Sequence, residues 1–290
     1  MLDVLIIGGG PAGVSAALYT VRAGLKTTLI YKDTGALLTA DVIDNYYGNP
    51  GIGGQDLVNI GLDHAKKTGV ITICAEVIKV GVVPDENGLS FLVETTDASY
   101  TTRALLLATG ANRQSPNING LESLEGKGVS YCAVCDAFFY KNKDVAVLGH
   151  SQYALSEAND LLPIAKSVYV LTNGLEPDVE FPPDVVICKE KINEILGKRK
   201  VSGVSFVNTK EVSLNGIFVA LGTAGATALA RKLGALIENN AVVTDENMRT
   251  NIPGLWAAGD CTPGIKQIAK AVYDGMVAGM DIVRQLRMVN

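Results

Sequence analysis

The chain has few aromatic and charged residues and no large excess of charge of one sign. Aromatic residues make up 6% and charged residues 19% of its 290 residues, and the formal net charge is −5. A charge balance of this kind lacks the basic surface with which proteins bind nucleic acid or an anionic membrane. We therefore expect neither nucleic acid nor a membrane among its partners.

Long hydrophobic runs and a secretory leader are also missing. No apolar run approaches the ~20 residues that a membrane-spanning helix needs, and the N-terminus has neither a basic segment nor a cleavage site. The five cysteines are an odd number with one close pair, which fits a reducing compartment. We expect a cytoplasmic protein in which Cys74, Cys188 and Cys261 are buried apolar residues.

Histidine is scarce, and this bears on the one close cysteine pair. Cys132 and Cys135 are two residues apart, Asp136 follows directly, and the only histidines are His64 and His150. A structural zinc ion needs about four ligands, yet the sequence has no second Cys-x-x-Cys and no paired histidines. The spacing favours a pair that exchanges two electrons as dithiol and disulfide. Zinc is the alternative at this point.

Glycine is abundant, and one glycine turn lies between predicted strands. The predicted elements around it are a buried strand over 2–7, a helix over 14–23 and a strand over 27–31. The turn itself is Gly8-Gly9-Gly10-Pro11-Ala12-Gly13. Glycines at this spacing between a strand and a helix of a βαβ unit are a dinucleotide-binding fingerprint. Gly8 permits the tight turn, Gly10 lets a pyrophosphate approach the backbone, and Gly13 lets the helix lie close to its strand.

The acidic residue expected after the second strand is displaced. Asp33 is the candidate for binding a ribose hydroxyl, and a loop acid without a ligand is the alternative. A second βαβ unit follows from a strand over 144–149, but its fingerprint is eroded, with Ser151 at the position where a pyrophosphate would approach. Residues 167–188 contain four acids and neither lysine nor arginine. These features oppose NADPH, whose 2′-phosphate needs an arginine, and oppose NADH less strongly.

Four motifs stand in the order and spacing of a known family. They are the first glycine turn, Ala108-Thr109-Gly110, the Cys-x-x-Cys pair with its aspartate, and the segment that ends in Gly259-Asp260. Over its whole length the chain resembles the low-molecular-weight thioredoxin reductases. The resemblance implies an α/β fold of two Rossmann-like three-layer domains, the second inserted into the first, and a homodimer. The FAD-binding domain would comprise residues 1–112 and 247–290, and the inserted redox domain, a degenerate NADPH-binding domain, residues 113–246.

The same resemblance implies which residues bind FAD. The pyrophosphate would lie on the first glycine turn, the ribityl chain on Asp260, and the flavin against Asn45 and the helix start at 266–268. A helix N-terminus at that place would stabilise negative charge on a reduced flavin. The implied cofactor contacts are Gly8, Gly10, Pro11, Ala12, Gly13, Asp33, Asn45, Ala108, Thr109, Gly110, Gly259, Asp260, Lys266, Gln267 and Ile268.

The resemblance also gives the cysteines separate roles. Cys132 would attack the thioredoxin disulfide, and Cys135 would receive electrons from the flavin. Asp136 would manage the proton of the departing thiolate, with a simple turn residue as the alternative.

The departures from the family pattern point to one branch of it. The eroded second fingerprint and the missing arginines resemble the pyridine-nucleotide-independent branch, the ferredoxin-dependent flavin thioredoxin reductases. The predicted function is therefore an FAD-containing disulfide reductase that takes electrons from reduced ferredoxin and reduces thioredoxin through Cys132 and Cys135. The alternatives are a thioredoxin reductase that uses NADH or NADPH, and a flavin-bearing redox sensor without turnover.

Overall fold

A computed structural model of the chain describes residues 1–33, 35–85, 88–111, 117–222 and 224–288. The chain divides into two compact units, Met1–Arg113 with Gly225–Asn290, and Gln114–Ala224. Each unit has its own hydrophobic core. Because the second unit interrupts the first in sequence, it is an insertion.

Strands and helices alternate at the start of each unit, and runs of consecutive strands follow. The strands are β1 (Leu2–Ile7), β2 (Thr27–Tyr31), β3 (Ile71–Cys74), β4 (Val77–Asp85), β5 (Gly88–Thr95), β6 (Ser99–Leu107), β7 (Val129–Ser130), β8 (Asp144–Leu148), β9 (Ser167–Leu171), β10 (Val185–Cys188), β11 (Ile192–Leu196), β12 (Gly203–Phe206), β13 (Glu211–Ser213), β14 (Gly216–Val219), β15 (Ile237–Glu238), β16 (Ala241–Val242) and β17 (Leu255–Ala257). The α-helices are α1 (Pro11–Arg22), α2 (Gly54–Thr68), α3 (Ala133–Asp136), α4 (Gln152–Leu161), α5 (Ala226–Lys232) and α6 (Ile268–Met288). Short 3-10 helices span Gly35–Thr39, Ala137–Tyr140 and Gly259–Cys261.

The sheets show the repetition predicted from the sequence. In the first unit β3, β2, β1 and β6 are adjacent and parallel, β17 pairs with β6 in parallel, and β5 and β4 continue the sheet as an antiparallel hairpin. In the second unit β10, β9, β8, β14 and β7 form a parallel sheet, beside an antiparallel sheet of β11, β12 and β13. The β1-α1-β2 and β8-α4-β9 units are therefore alike, and the predicted α/β class with two Rossmann-like units is confirmed.

Helix α6 packs on α1 through small residues. A Cβ atom on Gly275 would lie 2.1 Å from the Ala12 carbonyl oxygen, and one on Gly279 would lie 2.8 Å from that of Ala16. The backbones can approach this closely only where glycine stands, so the start of α1 is held in place by α6. Within the described ranges, no helix combines the length and apolar character needed to cross a membrane.

Of the two predicted domain boundaries, only the second can be compared with this division. The first, between residues 112 and 113, lies outside the described residues. At the second, residues 225–246 group with the first unit, although they were predicted to belong to the inserted domain. One cause is a hydrogen bond at the start of α5, where the Ala226 N–H donates to Thr109 Oγ1 at 2.7 Å. The assignment of the units to FAD and to redox chemistry stays a prediction.

A buried carboxylate on α6 joins the C-terminal segments of the first unit. Asp281 accepts hydrogen bonds from Arg249 at 2.5 and 2.7 Å, from Trp256 Nε1 at 3.0 Å, and from Arg284 Nε at 3.1 Å. Burial alone would raise the pKa of this carboxyl, but the hydrogen bonds from the two arginines and the tryptophan outweigh it and lower the pKa below its usual value. The charged form is therefore stabilised in the folded protein.

We expect Asp281→Asn to lower the free energy of unfolding by about 2–4 kcal/mol at neutral pH, because it removes the charge from a buried network. The folded-state pKa lies below the unfolded value of about 3.9, so this stabilisation is present above the unfolded pKa. It is lost as the pH falls through the folded pKa. Urea unfolding at pH 7 and near pH 3 should show the difference between wild type and variant narrowing in acid.

The exposed pair of Asp63 and Lys66, 3.8 Å apart, provides the control. Asp63→Asn should change the unfolding free energy by less than about 0.5 kcal/mol at either pH. Equal losses for Asp63→Asn and Asp281→Asn would contradict the assignment of a stabilising network.

Candidate functional site

The first glycine turn joins β1 to α1, and among its glycines only Gly10 has open space where a Cβ atom would stand. A Cβ atom on Gly8, whose φ is +121°, would lie 2.1 Å from the Ala108 carbonyl oxygen, and one on Gly13 would lie 1.9 Å from that of Gly8. A Cβ atom on Gly10 would meet no atom within 4 Å. Packing of the protein therefore requires Gly8 and Gly13, whereas Gly10 borders open space at the N-terminus of α1. Such a cradle admits a phosphate.

Three predicted segments meet at one edge of the first sheet. Ala258 follows β17 and its N–H donates to the Leu107 carbonyl of β6 at 3.0 Å. A Cβ atom on Gly259 would lie 2.9 Å from the Cβ of Ala12 in the first turn of α1. The structure thus brings together segments 8–13, 108–110 and 259–260. They lie at the carboxyl ends of parallel strands, where ligands of α/β sheets bind.

Asp260 has an oxygen that suits a ligand hydroxyl. Its Oδ1 atom is buried and has no hydrogen-bond partner among the residues that the structure describes. A buried carboxylate oxygen without a partner costs free energy, so a donor from a ligand would stabilise this turn. The ribityl role of Asp260 stays a prediction.

The turn that carries Asp260 is held by a polar network that the sequence did not indicate. The Gly259 N–H donates to Asp274 Oδ2 at 3.1 Å, and Lys270 Nζ lies 2.8 Å from the same carboxylate oxygen. Lys270 also donates to the Gly259 carbonyl at 2.9 Å and to Thr262 Oγ1 at 2.6 Å. Lys270 and Asp274 are four residues apart on α6, and that pairing was the available signal.

The predicted flavin-side residues also lie together. Asn45 Nδ2 donates to Gln267 Oε1 at 3.2 Å across 222 residues of sequence. Lys266 Nζ donates to the Asp260 carbonyl oxygen, and Ile268 is the first residue of α6. Lys266 and Gln267 therefore directly precede a long helix, and Lys266 contacts the backbone of Asp260. The contact of residues 266–268 with a flavin stays a prediction.

Two other predicted cofactor residues have partners within the protein. Asp33 is exposed after β2, and its Oδ1 accepts a hydrogen bond from the Gly35 N–H at 2.8 Å, as in an ordinary Asx turn. The Thr109 hydroxyl accepts a hydrogen bond from the Ala226 N–H. Gly110 has a φ of +78°, which allows the chain to turn. The ribose role of Asp33 stays a prediction.

In the second unit Cys132 and Cys135 form a disulfide, with their Cα atoms 5.3 Å apart. Cys132 is only 3% exposed and caps the N-terminus of α3, where its Sγ accepts a hydrogen bond from the Cys135 N–H at 3.2 Å. Cys135 is exposed. After reduction, the N–H contact would stabilise a thiolate on Cys132. Two sulfurs in a disulfide are typical of redox chemistry and not of a zinc site.

Two buried side chains that the sequence did not indicate hold this turn. Ser130 Oγ accepts a hydrogen bond from the Cys132 N–H at 3.1 Å and donates to Asp136 Oδ2 at 2.7 Å. Glu157 of α4, 1% exposed, accepts from the Ala133 N–H at 2.7 Å. Both types of residue are common on surfaces, so only packing reveals their position next to the cysteines.

An apolar patch lies on the surface next to the disulfide. Val134, Phe138 and Phe139 have exposed side chains, and the two phenylalanine rings contact each other edge to face with centroids 6.2 Å apart. Adjacent exposed aromatic residues are uncommon on proteins without a binding partner. The patch therefore suits contact with another protein.

The remaining cysteines divide by burial. Cys188 and Cys261 are buried as predicted, and burial raises the pKa of both thiols, that of Cys261 to about 12. Such thiols are poor nucleophiles at neutral pH. Cys74 is exposed, so its prediction as a buried residue is wrong, because β3 is the edge strand of the first sheet.

The second glycine turn is used for packing and for a hydrogen bond across the sheet edge. A Cβ atom on Gly149 would lie 2.2 Å from the Ala220 carbonyl oxygen, so this glycine is required without any ligand. The buried Ser151 donates from Oγ to the Gly222 carbonyl at 2.8 Å. This bond links the turn after β8 to the turn after β14, at the edge where a dinucleotide would bind.

The segment after β9 is tied to the same turn. The Asp178 N–H donates to the His150 carbonyl at 2.9 Å, and Asp178 Oδ2 lies 3.6 Å from His150 Nε2. Glu176 nearby in sequence pairs with Lys189 at 2.6 Å. Acidic residues therefore occupy the place where a 2′-phosphate would need an arginine.

Comparison with known proteins gives consistent matches over nearly the whole chain. The sequence profile of the family described as "Pyridine nucleotide-disulphide oxidoreductase" matches residues 2–183 and 185–275. A thioredoxin reductase of Listeria innocua is 36% identical over 298 residues, covering 96% of this chain and 92% of that protein.

Solved structures are similar as well. The atypical thioredoxin reductase TRi from Desulfovibrio vulgaris Hildenborough is 32% identical with a TM-score of 0.89, covering 98% of this chain and 99% of that chain. A ferredoxin-flavin thioredoxin reductase from Clostridium acetobutylicum is 31% identical with a TM-score of 0.73, covering 99% and 98%.

Proposed function

Because this chain belongs to the low-molecular-weight thioredoxin reductases of the pyridine nucleotide-disulphide oxidoreductase family, we propose that it is an FAD enzyme that reduces thioredoxin. The observation that carries the proposal is the Cys132–Cys135 disulfide, which lies in a short helical turn with the carboxylate of Asp136 beside it. This arrangement combines a two-electron carrier with a group that can hold a proton.

The residues of the first unit fit FAD. Gly10 leaves open space at a helix N-terminus for the pyrophosphate, and Asp260 Oδ1 offers an acceptor for a ribityl hydroxyl. Residues 266–268, at the start of α6, would lie at the pyrimidine edge of the flavin. When bound, FAD supplies the conversion between one-electron and two-electron transfer.

The protein's own residues carry out the exchange with thioredoxin. The reduced Cys132 thiolate attacks the thioredoxin disulfide, so that a new S–S bond forms and one thioredoxin sulfur leaves with its electron pair and takes up a proton. Cys135 then attacks Cys132 Sγ, which releases the second thioredoxin thiol and restores the disulfide. Two electrons and two protons pass to thioredoxin in each cycle. Since Cys132 is buried in the disulfide form, its sulfur must become accessible after reduction.

The surface around the disulfide supports a protein substrate. The patch of Val134, Phe138 and Phe139 is apolar and exposed. Aromatic residues at the centre of an interface contribute much of its binding free energy. A small-molecule disulfide substrate would not need to contact this patch, whereas thioredoxin would cover it.

We further propose that reduced ferredoxin supplies the electrons, one at a time and two per cycle. The support is the second glycine turn, where the Ser151 hydroxyl is bonded to the Gly222 carbonyl and acidic residues follow β9. These features oppose a nicotinamide dinucleotide at that edge. The similarity to a protein named a ferredoxin-flavin thioredoxin reductase favours the same donor.

Anaerobic mixing of the FAD-loaded protein with NADPH, NADH or reduced ferredoxin tests the donor. Flavin bleaching and thioredoxin reduction by ferredoxin should exceed those by either nicotinamide about 100-fold or more, because the second site lacks the groups that would bind a phosphate. Dithionite serves as the control, since it should reduce the flavin whichever donor is natural.

Rapid bleaching by NADPH would overturn the ferredoxin proposal while leaving thioredoxin reduction intact. Bleaching without reduction of thioredoxin by any donor would instead favour the redox sensor. The homodimer stays a prediction that light scattering on the purified protein would test.

A further inference from the structure

Ser130 connects the two ends of the Cys132–Asp136 turn. It is the last residue of β7, it is buried, and its hydroxyl accepts from the Cys132 N–H at 3.1 Å while donating to Asp136 Oδ2 at 2.7 Å. A hydroxyl has one hydrogen and two lone pairs, so it can serve both groups at once. The Cys132 carbonyl, 3.4 Å away, is a longer and weaker competitor for the same hydrogen.

The carboxylate of Asp136 depends on this contact for its direction. Asp136 lies one helical turn after Cys132, to whose carbonyl its N–H donates at 3.2 Å, and its side chain is partly exposed. Within the part of the chain that the structure describes, Ser130 is the only hydrogen-bond partner of this carboxylate. A partly exposed aspartate without such a partner would sample rotamers that point into solvent.

We propose that Ser130 is a positioning residue that holds the Asp136 carboxyl group at the Cys132 end of the disulfide. The proposal rests on the function proposed above and deepens it. Because Ser130 binds Oδ2, the other oxygen is left to carry the proton that the departing thiolate takes up when Cys132 attacks. Ser130 itself exchanges no proton with the substrate, since its hydrogen stays between the two oxygens.

The chemistry of the leaving group provides a test that a general disturbance of the turn would fail. An alkyl thiolate is a poor leaving group unless it is protonated, whereas an aromatic thiolate of low pKa leaves readily without a proton. The reduced FAD-loaded protein can be mixed in single turnovers with oxidised glutathione, which releases an alkyl thiolate, and with DTNB, which releases an aromatic one.

We expect Ser130→Ala to slow the reaction with oxidised glutathione about tenfold, because the proton donor is misplaced rather than removed. The reaction with DTNB should stay within about twofold of wild type. In an Asp136→Asn background, Ser130→Ala should cause no further loss, since residues that act through one another are not additive.

Two variants serve as controls. Ser130→Thr keeps the hydroxyl and should retain nearly the full wild-type rate, which also decides the matter if Ser130→Ala does not fold. Ser123→Ala removes an exposed serine of the same unit, bonded to the Gly120 carbonyl at 3.3 Å, and should change neither reaction.

If Ser130→Ala slowed the reactions with oxidised glutathione and DTNB equally, the proposal would be overturned. A folded Ser130→Thr protein that reacts with oxidised glutathione as slowly as Ser130→Ala would also overturn it. Multiplicative effects with Asp136→Asn would do the same. A wild-type protein that reacts with glutathione and DTNB but not with thioredoxin would contradict the proposed function alone, because the two small disulfides still test Ser130.

Discussion

Replacement of Cys135 by serine is expected to slow thioredoxin reduction about a thousandfold or more, because the variant can neither form the dithiol nor resolve a mixed disulfide. FAD content should be unchanged, since the cysteine pair and the glycine turn lie in different units. The measurement is thioredoxin reduction with dithionite as electron source, which makes the result independent of the natural donor. Cys74→Ser, which also removes an exposed cysteine, should stay within about twofold of wild type.

The two single-cysteine variants also distinguish the roles of the thiols. Cys132 is buried but accepts the Cys135 N–H, whereas Cys135 is exposed without serving as a helix cap. If stabilisation of the thiolate determines which cysteine attacks thioredoxin, Cys135→Ser should trap a mixed disulfide between Cys132 and thioredoxin. This species would be visible on a non-reducing gel. Faster trapping by Cys132→Ser would show instead that solvent exposure of the sulfur determines which cysteine attacks. The roles of the two cysteines would then be exchanged.

The fold was predictable where the local pattern is strong. The apolar runs of β1 and β8, each followed by a glycine turn and a helix, defined both βαβ units. The short elements β7, α3 and α5 were not predicted, because two to seven residues carry too little periodicity to indicate a type. The start of α5 joins the first unit through one hydrogen bond from Ala226 to Thr109, and no composition change marks that contact.

The site was predictable where residue type and chemistry coincide. Glycines at a turn and a Cys-x-x-Cys pair have few structural substitutes, so their spacing indicated where to look. Ser130, Glu157 and the pair of Lys270 with Asp274 were not found, because the same residues occur on any exposed surface. Their importance comes from burial, which depends on how distant segments pack. Cys74 shows the converse, since residue type suggested burial and an edge strand exposes it.

The first glycine turn gives the second large effect, because its glycines separate cofactor binding from folding. Gly10 has a φ of −77° and nothing within 4 Å of its missing Cβ. Gly10→Ala should therefore fold normally, yet its methyl group would stand where the pyrophosphate approaches the backbone. We expect FAD affinity to fall about 100-fold or more, equivalent to about 2.8 kcal/mol.

Gly13→Ala should behave differently, because its Cβ would lie 1.9 Å from the Gly8 carbonyl oxygen. The helix must move away from the turn, which should destabilise the apo-protein by about 1–3 kcal/mol as well as weaken FAD binding. Gly81→Ala, at an open position in β4, is the control and should change neither property by much. Thermal unfolding of the apo-proteins and titration with FAD measure the two effects separately.

The pair of variants decides between two explanations of the turn. If these glycines serve only to pack α1 against the sheet, Gly10→Ala should bind FAD as tightly as wild type, and only Gly13→Ala should lose affinity. If the turn is a phosphate cradle, Gly10→Ala should lose affinity at unchanged stability. Lost FAD affinity at unchanged stability would show that Gly10 lies at the cofactor site. The added methyl group meets no atom of the protein, so it could weaken binding only by contact with the bound FAD.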